Sequence, residues 1–130
     1  QGVCIAGGPS LDRICDYGLA VIGRPATDPN RDATPTQILA ERNLEPEADQ
    51  ARWRVTDAVA VPKPRKGYEL QLDSCRVDRV DGAPVVALVR HGDREYSRDV
   101  LWARRLDIAS GKLQPIAIKR VDCINPGLGI

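Results

Sequence analysis

Phenylalanine and methionine are absent from the 130-residue chain, and only two Trp and three Tyr are present. The core must therefore be assembled from Val, Leu, Ile and Ala around Trp53, Trp102, Tyr17, Tyr68 and Tyr96. An excess of one charge is also missing. The 19 basic and 18 acidic residues leave +1, without the basic surplus of a general nucleic-acid or anionic-membrane binder. No apolar run approaches the roughly 18 to 20 residues of a membrane span. Histidine occurs once, at His91, and no C-x-x-C pair exists, so the close ligand pairs of a structural zinc site are lacking. There is no G-x-G-x-x-G after a strand and no P-loop, which leaves no nucleotide cofactor to expect.

Four cysteines are present: Cys4, Cys15, Cys75 and Cys123. An even number without metal-ligand spacing reads as two disulfides, and hence an oxidising compartment. Three connectivities are possible; the favoured one pairs Cys4 with Cys15, closing a Gly-Gly-Pro loop, and Cys75 with Cys123, clamping the C-terminal tail onto a strand. A bridge over tens of residues contributes about 3 to 4 kcal/mol in the chain-entropy model, offsetting the scarcity of large aromatic side chains. Arg outnumbers Lys 15 to 4, a composition typical of a GC-rich bacterial genome. The opening Gln1, with no charged-then-apolar leader, fits a mature exported chain.

The length predicts one compact domain over 1–130. Ser10 as an N-cap, followed by apolar residues at helical spacing, predicts a short helical turn near 10–15, then a strand over about 17–22. Residues 23–36 carry three prolines and turn formers and read as a flexible loop. Within it Asp28, Asn30 and Asp32 match the start of a calcium loop, but Ala33 replaces the required Gly. Thr34-Pro35-Thr36-Gln37 has the form of a capping box and predicts a helix to about residue 44. A further helical turn is expected near 46–51. From Trp53 the pattern alternates with period two. A change of apolar phase predicts a bend near Ser74, Asp81-Gly82 marks a hairpin, and Val85 to Val89 reads as a central strand. Residues 119–130 read as an irregular tail. The expected class is α+β, mainly β: an antiparallel meander sheet of about five or six strands, with one or two short helices in the N-terminal half.

No catalytic set is evident, and no metal or other cofactor is expected. His91 is the only histidine, no serine lies in G-x-S-x-G, and each acid of the meander has arginine neighbours. Two segments stand out as surfaces for another protein. Arg94, Tyr96, Arg98, Trp102 and Arg104 combine the residue types enriched at interface hot spots. Lys63, Arg65 and Lys66 form the densest basic cluster. In general build alone, the chain resembles bacterial periplasmic inhibitor and immunity proteins. That resemblance implies a non-enzymatic periplasmic or secreted domain that binds a protein, with a structural subunit of a cell-envelope assembly as the alternative.

Overall fold

The computed structural model describes residues 2–5, 16–31, 33–48, 50–63 and 65–128. More than half of the described residues are in strands, so the fold is mainly β, arranged as three antiparallel sheets. Contacts divide the protein into two compact units. Unit 1 is Gln1–Pro62 with Asp107–Leu113, and unit 2 is Lys63–Leu106 with Gln114–Ile130.

Unit 1 is built on β1 (Gly2–Ile5), β2 (Tyr17–Arg24), β3 (Thr34–Glu47) and β4 (Gln50–Ala60), hydrogen-bonded in that order. The strand expected over 17–22 is β2. The helix expected from Thr34 is a correction: residues 34–47 are the long strand β3. Local capping signals favoured a helix, but pairing on both sides overrides them. Ile38 and Ala40 are fully buried, two residues apart, in a strand hydrogen-bonded to β2 and β4. Pro35 is tolerated because it lies opposite Gly23, where the β2–β3 register shifts. The helical turn expected near 46–51 is likewise replaced by the close of the β3–β4 hairpin, with Ala48 at φ 52. The turn expected near 10–15 lies outside the described residues. The loop is shorter than expected, because β2 runs to Arg24 and β3 begins at Thr34.

Unit 2 contains β5 (Glu69–Gln71), β6 (Cys75–Val77), β7 (Val85–Arg90), β8 (Tyr96–Ser97), β9 (Asp99–Asp107), β10 (Lys112–Pro115) and β11 (Val121–Ile124). The tip of the β9–β10 hairpin falls in unit 1. One sheet has the order β10-β9-β7-β5 and another β6-β11-β8. No sheet reaches five or six strands, because the meander is interrupted twice. The chain leaves the larger sheet at Ser74 (φ 64) to form β6, and again after β7 to form β8. The bend expected near Ser74 is therefore present, as a change of sheet. Asp81-Gly82 does turn, with Gly82 at φ 84, but the flanking strands enter different sheets. Val85 to Val89 are all buried and β7 is central, as its unbroken apolar run indicated.

Cys75 and Cys123 face each other in the β6–β11 register and form a disulfide, with Cα atoms 3.9 Å apart. Both lie in a buried cluster with Val77, Val85, Val89, Val100 and Val121. This staple orders the tail: residues 119–130, expected to be irregular, include β11. The expected Cys4–Cys15 pair involves a residue outside those described. The helical segments among the described residues are two 3-10 turns, Ile118–Arg120 and Pro126–Leu128, and the N-terminal half holds none.

Candidate functional site

The β3–β4 hairpin leaves one edge of the unit 1 sheet open. β4 ends the sheet order, and its outer side is covered only in part. Thr56 Oγ1 donates to the Gly111 carbonyl at 2.7 Å, and Leu113 N–H donates to Asp57 Oδ2 at 2.8 Å. Residues 50–55, about 20 Å of strand, have no strand partner on that side among those described. A β-bulge between Ala40 and Glu41 puts Thr56 out of register and reverses the side-chain phase of β4. Trp53 and Val55 consequently face away from the Ile38–Ala40 core and are 39% and 53% exposed. The Trp53 indole lies over Gly18, where a Cβ would come within 3.4 Å of Cζ3. On the opposite face Arg54 sits directly across from Arg42. Both are exposed, and like charges in directly opposed positions repel.

The structure places the sequence-predicted binding residues on separate elements. Tyr96 is in β8 and Trp102 in β9, which belong to different sheets. The Arg76 guanidinium covers the Tyr96 ring at 3.4 Å and makes a two-point pair with Asp122, at 2.8 and 2.7 Å. Arg104 lies over Trp102, 5.0 Å from its centroid. Arg94 and Arg98 are exposed and form no ion pair among the described residues, and the same holds for Lys63, Arg65 and Lys66. Nearby, Tyr68 donates to Asp99 Oδ1 at 2.6 Å, and Arg90 pairs with Asp99 at 2.7 Å. The Tyr68 hydrogen bond, joined by Arg90, holds the Asp99 carboxyl below its usual range, and the same bond raises the Tyr68 phenol.

His91 does not stand alone. Its Nε2 is 2.9 Å from Gln71 Oε1 and 3.4 Å from Glu69 Oε1, and its Nδ1 is 2.7 Å from Ser97 Oγ. Gln71 Nε2 donates to the Ile124 carbonyl, which turns Oε1 toward the imidazole. The tautomer that fits these partners has Nε2 facing the Gln71 carbonyl oxygen and Nδ1 facing the Ser97 hydroxyl. Ser97 is 4% exposed. The network ties β5, β8 and β11 to the residue that follows β7.

A depression of about 270 Å³ in the same unit is lined by Asp78, Arg79, Arg98, Lys119, Arg120, Val121 and Asp122. Its wall includes a two-residue hairpin turn. Val77 and Val80 bridge each other, and Asp78 and Arg79 between them have φ of 51° and 65°. Both central residues of such a turn need positive φ, which is why Asn-Gly is usual there. For a residue with a Cβ that conformation costs about 1 to 2 kcal/mol. Arg120 donates to both Asp78 oxygens, at 3.0 and 2.6 Å, and these bonds hold the Asp78 carboxyl below its usual range.

No group of three metal-ligating side chains occurs among the described residues. Asp28 instead closes a turn, accepting from the Asn30 amide at 2.9 Å. Sequence reading passed over Arg42, Arg54, Arg79 and Lys119. A signal for Arg79 did exist: Val77 and Val80 flank a polar pair at hairpin spacing, but Asp81-Gly82 masked it. The Arg42–Arg54 pairing depends on the register of two strands and has no local signature. No protein family, curated protein or solved structure matches the chain.

Proposed function

We propose that the protein is an exported, non-enzymatic binding domain that captures an extended segment of another protein by strand addition along β4. The observation that carries this reading is the open outer edge of residues 50–55. A strand docked there gains main-chain hydrogen bonds, and its alternate side chains meet two different faces. Trp53 and Val55 offer one apolar face, and the Arg42–Arg54 pair offers a cationic one. The fitting segment is therefore amphipathic, with apolar residues on one side and carboxylates on the other. A second copy of this chain fits poorly, because an antiparallel β4–β4 pairing centred on Arg54 sets that exposed residue against its own counterpart. The buried Cys75–Cys123 bridge supports a periplasmic or extracellular location. An inhibitor or immunity-type role toward a secreted hydrolase or toxin is consistent with such capture.

The test uses a short extended peptide alternating Val and Glu, with a Val-Lys peptide as control. Amide shifts on adding the Val-Glu peptide should concentrate at 50–55. Arg42→Glu and Arg54→Glu should each weaken binding about tenfold, equivalent to roughly 1.4 kcal/mol. Equal response to both peptides, or shifts spread away from β4, would overturn the reading. Concentration-dependent dimerisation through β4 would instead favour a self-assembling envelope subunit.

A further inference from the structure

The near-zero charge of the whole chain conceals an uneven distribution, with a cationic surplus in unit 2. Much of that surplus converges on the depression formed by the 77–80 turn, the β8–β9 link and the 3-10 turn Ile118–Arg120. Its two carboxylates are already satisfied: Asp78 by Arg120, and Asp122 by Arg76. Arg79, Arg98 and Lys119 remain, all lining the depression and none in an ion pair among the described residues. Three cations thus arrive from three separate segments of the chain, unmatched by any free acid on the lining.

Arg79 adds a second, independent observation. It occupies the turn position where glycine is the unstrained choice, at φ 65°. Its side chain is exposed, so packing does not account for an arginine at this position. Unlike Asp78, whose strain is accompanied by the Arg120 pair, Arg79 has no ion pair among the described residues, which makes its side chain a candidate for binding.

We propose that this depression binds a phosphate-type oxyanion, with Arg79, Arg98 and Lys119 as its ligating cations. A tetrahedral dianion offers acceptor oxygens in several directions, which suits converging guanidinium and ammonium donors better than a single carboxylate does. The site draws on no part of the β4 argument.

The experiment titrates the intact, oxidised protein with inorganic phosphate at constant ionic strength, reading amide shifts at 79, 98 and 119 and the thermal midpoint. Saturable shifts at these positions are expected. Arg98→Ala and Lys119→Ala should each weaken phosphate binding about tenfold, and Lys112→Ala, an exposed residue outside the depression, should leave it unchanged. Arg79→Gly should raise the thermal midpoint without ligand and still lose about tenfold in phosphate affinity. That combination separates a binding role from a structural one. Vesicles of phosphatidylcholine containing phosphatidic acid form the second arm. Recruitment to them assigns the anion to a lipid headgroup, and its absence, with phosphate still bound, assigns it to a soluble phosphoryl compound. Shifts that track ionic strength alone, undiminished affinity in all three variants, or a lowered midpoint in Arg79→Gly would overturn the proposal.

Discussion

Replacing Gly111 by Ala tests the close packing of the Asp107–Leu113 tip against Thr56. Gly111 is buried at φ 73°, and a Cβ there would lie 2.7 Å from Thr56 Cβ and 2.9 Å from its Oγ1. The nearest atom is the Thr56 Cβ itself, so no rotation of the Thr56 side chain relieves the clash. The hairpin tip has to move, and two hydrogen bonds move with it: Thr56 to the Gly111 carbonyl, and Leu113 N–H to the Asp57 carboxylate. The left-handed backbone costs about 1 kcal/mol once a Cβ is present. The hydroxyl bond is worth about 1 kcal/mol and the carboxylate bond about 1.5 to 3 kcal/mol. Gly111→Ala should therefore destabilise by roughly 3 to 5 kcal/mol, summing these contributions. Urea unfolding under non-reducing conditions measures it. In a Thr56→Gly background the clash disappears, and Gly111→Ala should cost only about 1 kcal/mol. Equal costs in the two backgrounds, or a cost below about 1 kcal/mol in the parent, would refute the steric argument.

Cys75→Ala with Cys123→Ala should lower stability by about 4 kcal/mol from the released chain closure, read as a shift in the urea midpoint. In acid, Asp78 and Asp99 have folded-state pKa values below their unfolded values. Their contribution is complete above the ordinary carboxylate range and is lost as pH falls through the depressed folded values. The thermal midpoint should thus decline below about pH 4, and less steeply in Asp99→Asn. Tyr68 has the opposite sign. Its raised folded pKa makes its contribution present below the ordinary phenol value and lost as pH rises through the raised one, so ultraviolet titration should show Tyr68 ionising above the ordinary phenol range, and Asp99→Asn should shrink that delay. Gly18→Val should push the Trp53 indole off the sheet and red-shift its emission in a Trp102→Phe background.

The strands with an unbroken or alternating apolar pattern were legible in the sequence. β7 was plain from Val85 to Val89, and β2 from its run after Tyr17. The failure at β3 has a clear cause: Thr34-Pro35-Thr36-Gln37 satisfies the local rules for starting a helix, and the strands that pair with it, β2 and β4, lie outside that stretch. Tyr96, Arg98, Trp102 and Arg104 share one sequence parity, yet Tyr96 and Trp102 lie in different sheets. Parity counting assumes one continuous strand, whereas the chain changes sheet at Arg98 and the β7–β9 register shifts after Leu88. The Cys75–Cys123 bridge was legible because covalent chemistry depends little on such detail. Arginines that matter through their neighbours, such as Arg42 and Arg54, became visible only with the register.

The Asp107–Leu113 tip belongs to unit 1 although some forty residues of other structure precede it. During synthesis, unit 1 is therefore unfinished when its own four strands have emerged. Thr56 and Asp57 wait for a lid that the ribosome delivers much later. A fragment ending at Pro62 should accordingly be a poor surrogate for the intact unit, and nascent chains stalled before residue 113 should remain open to proteases.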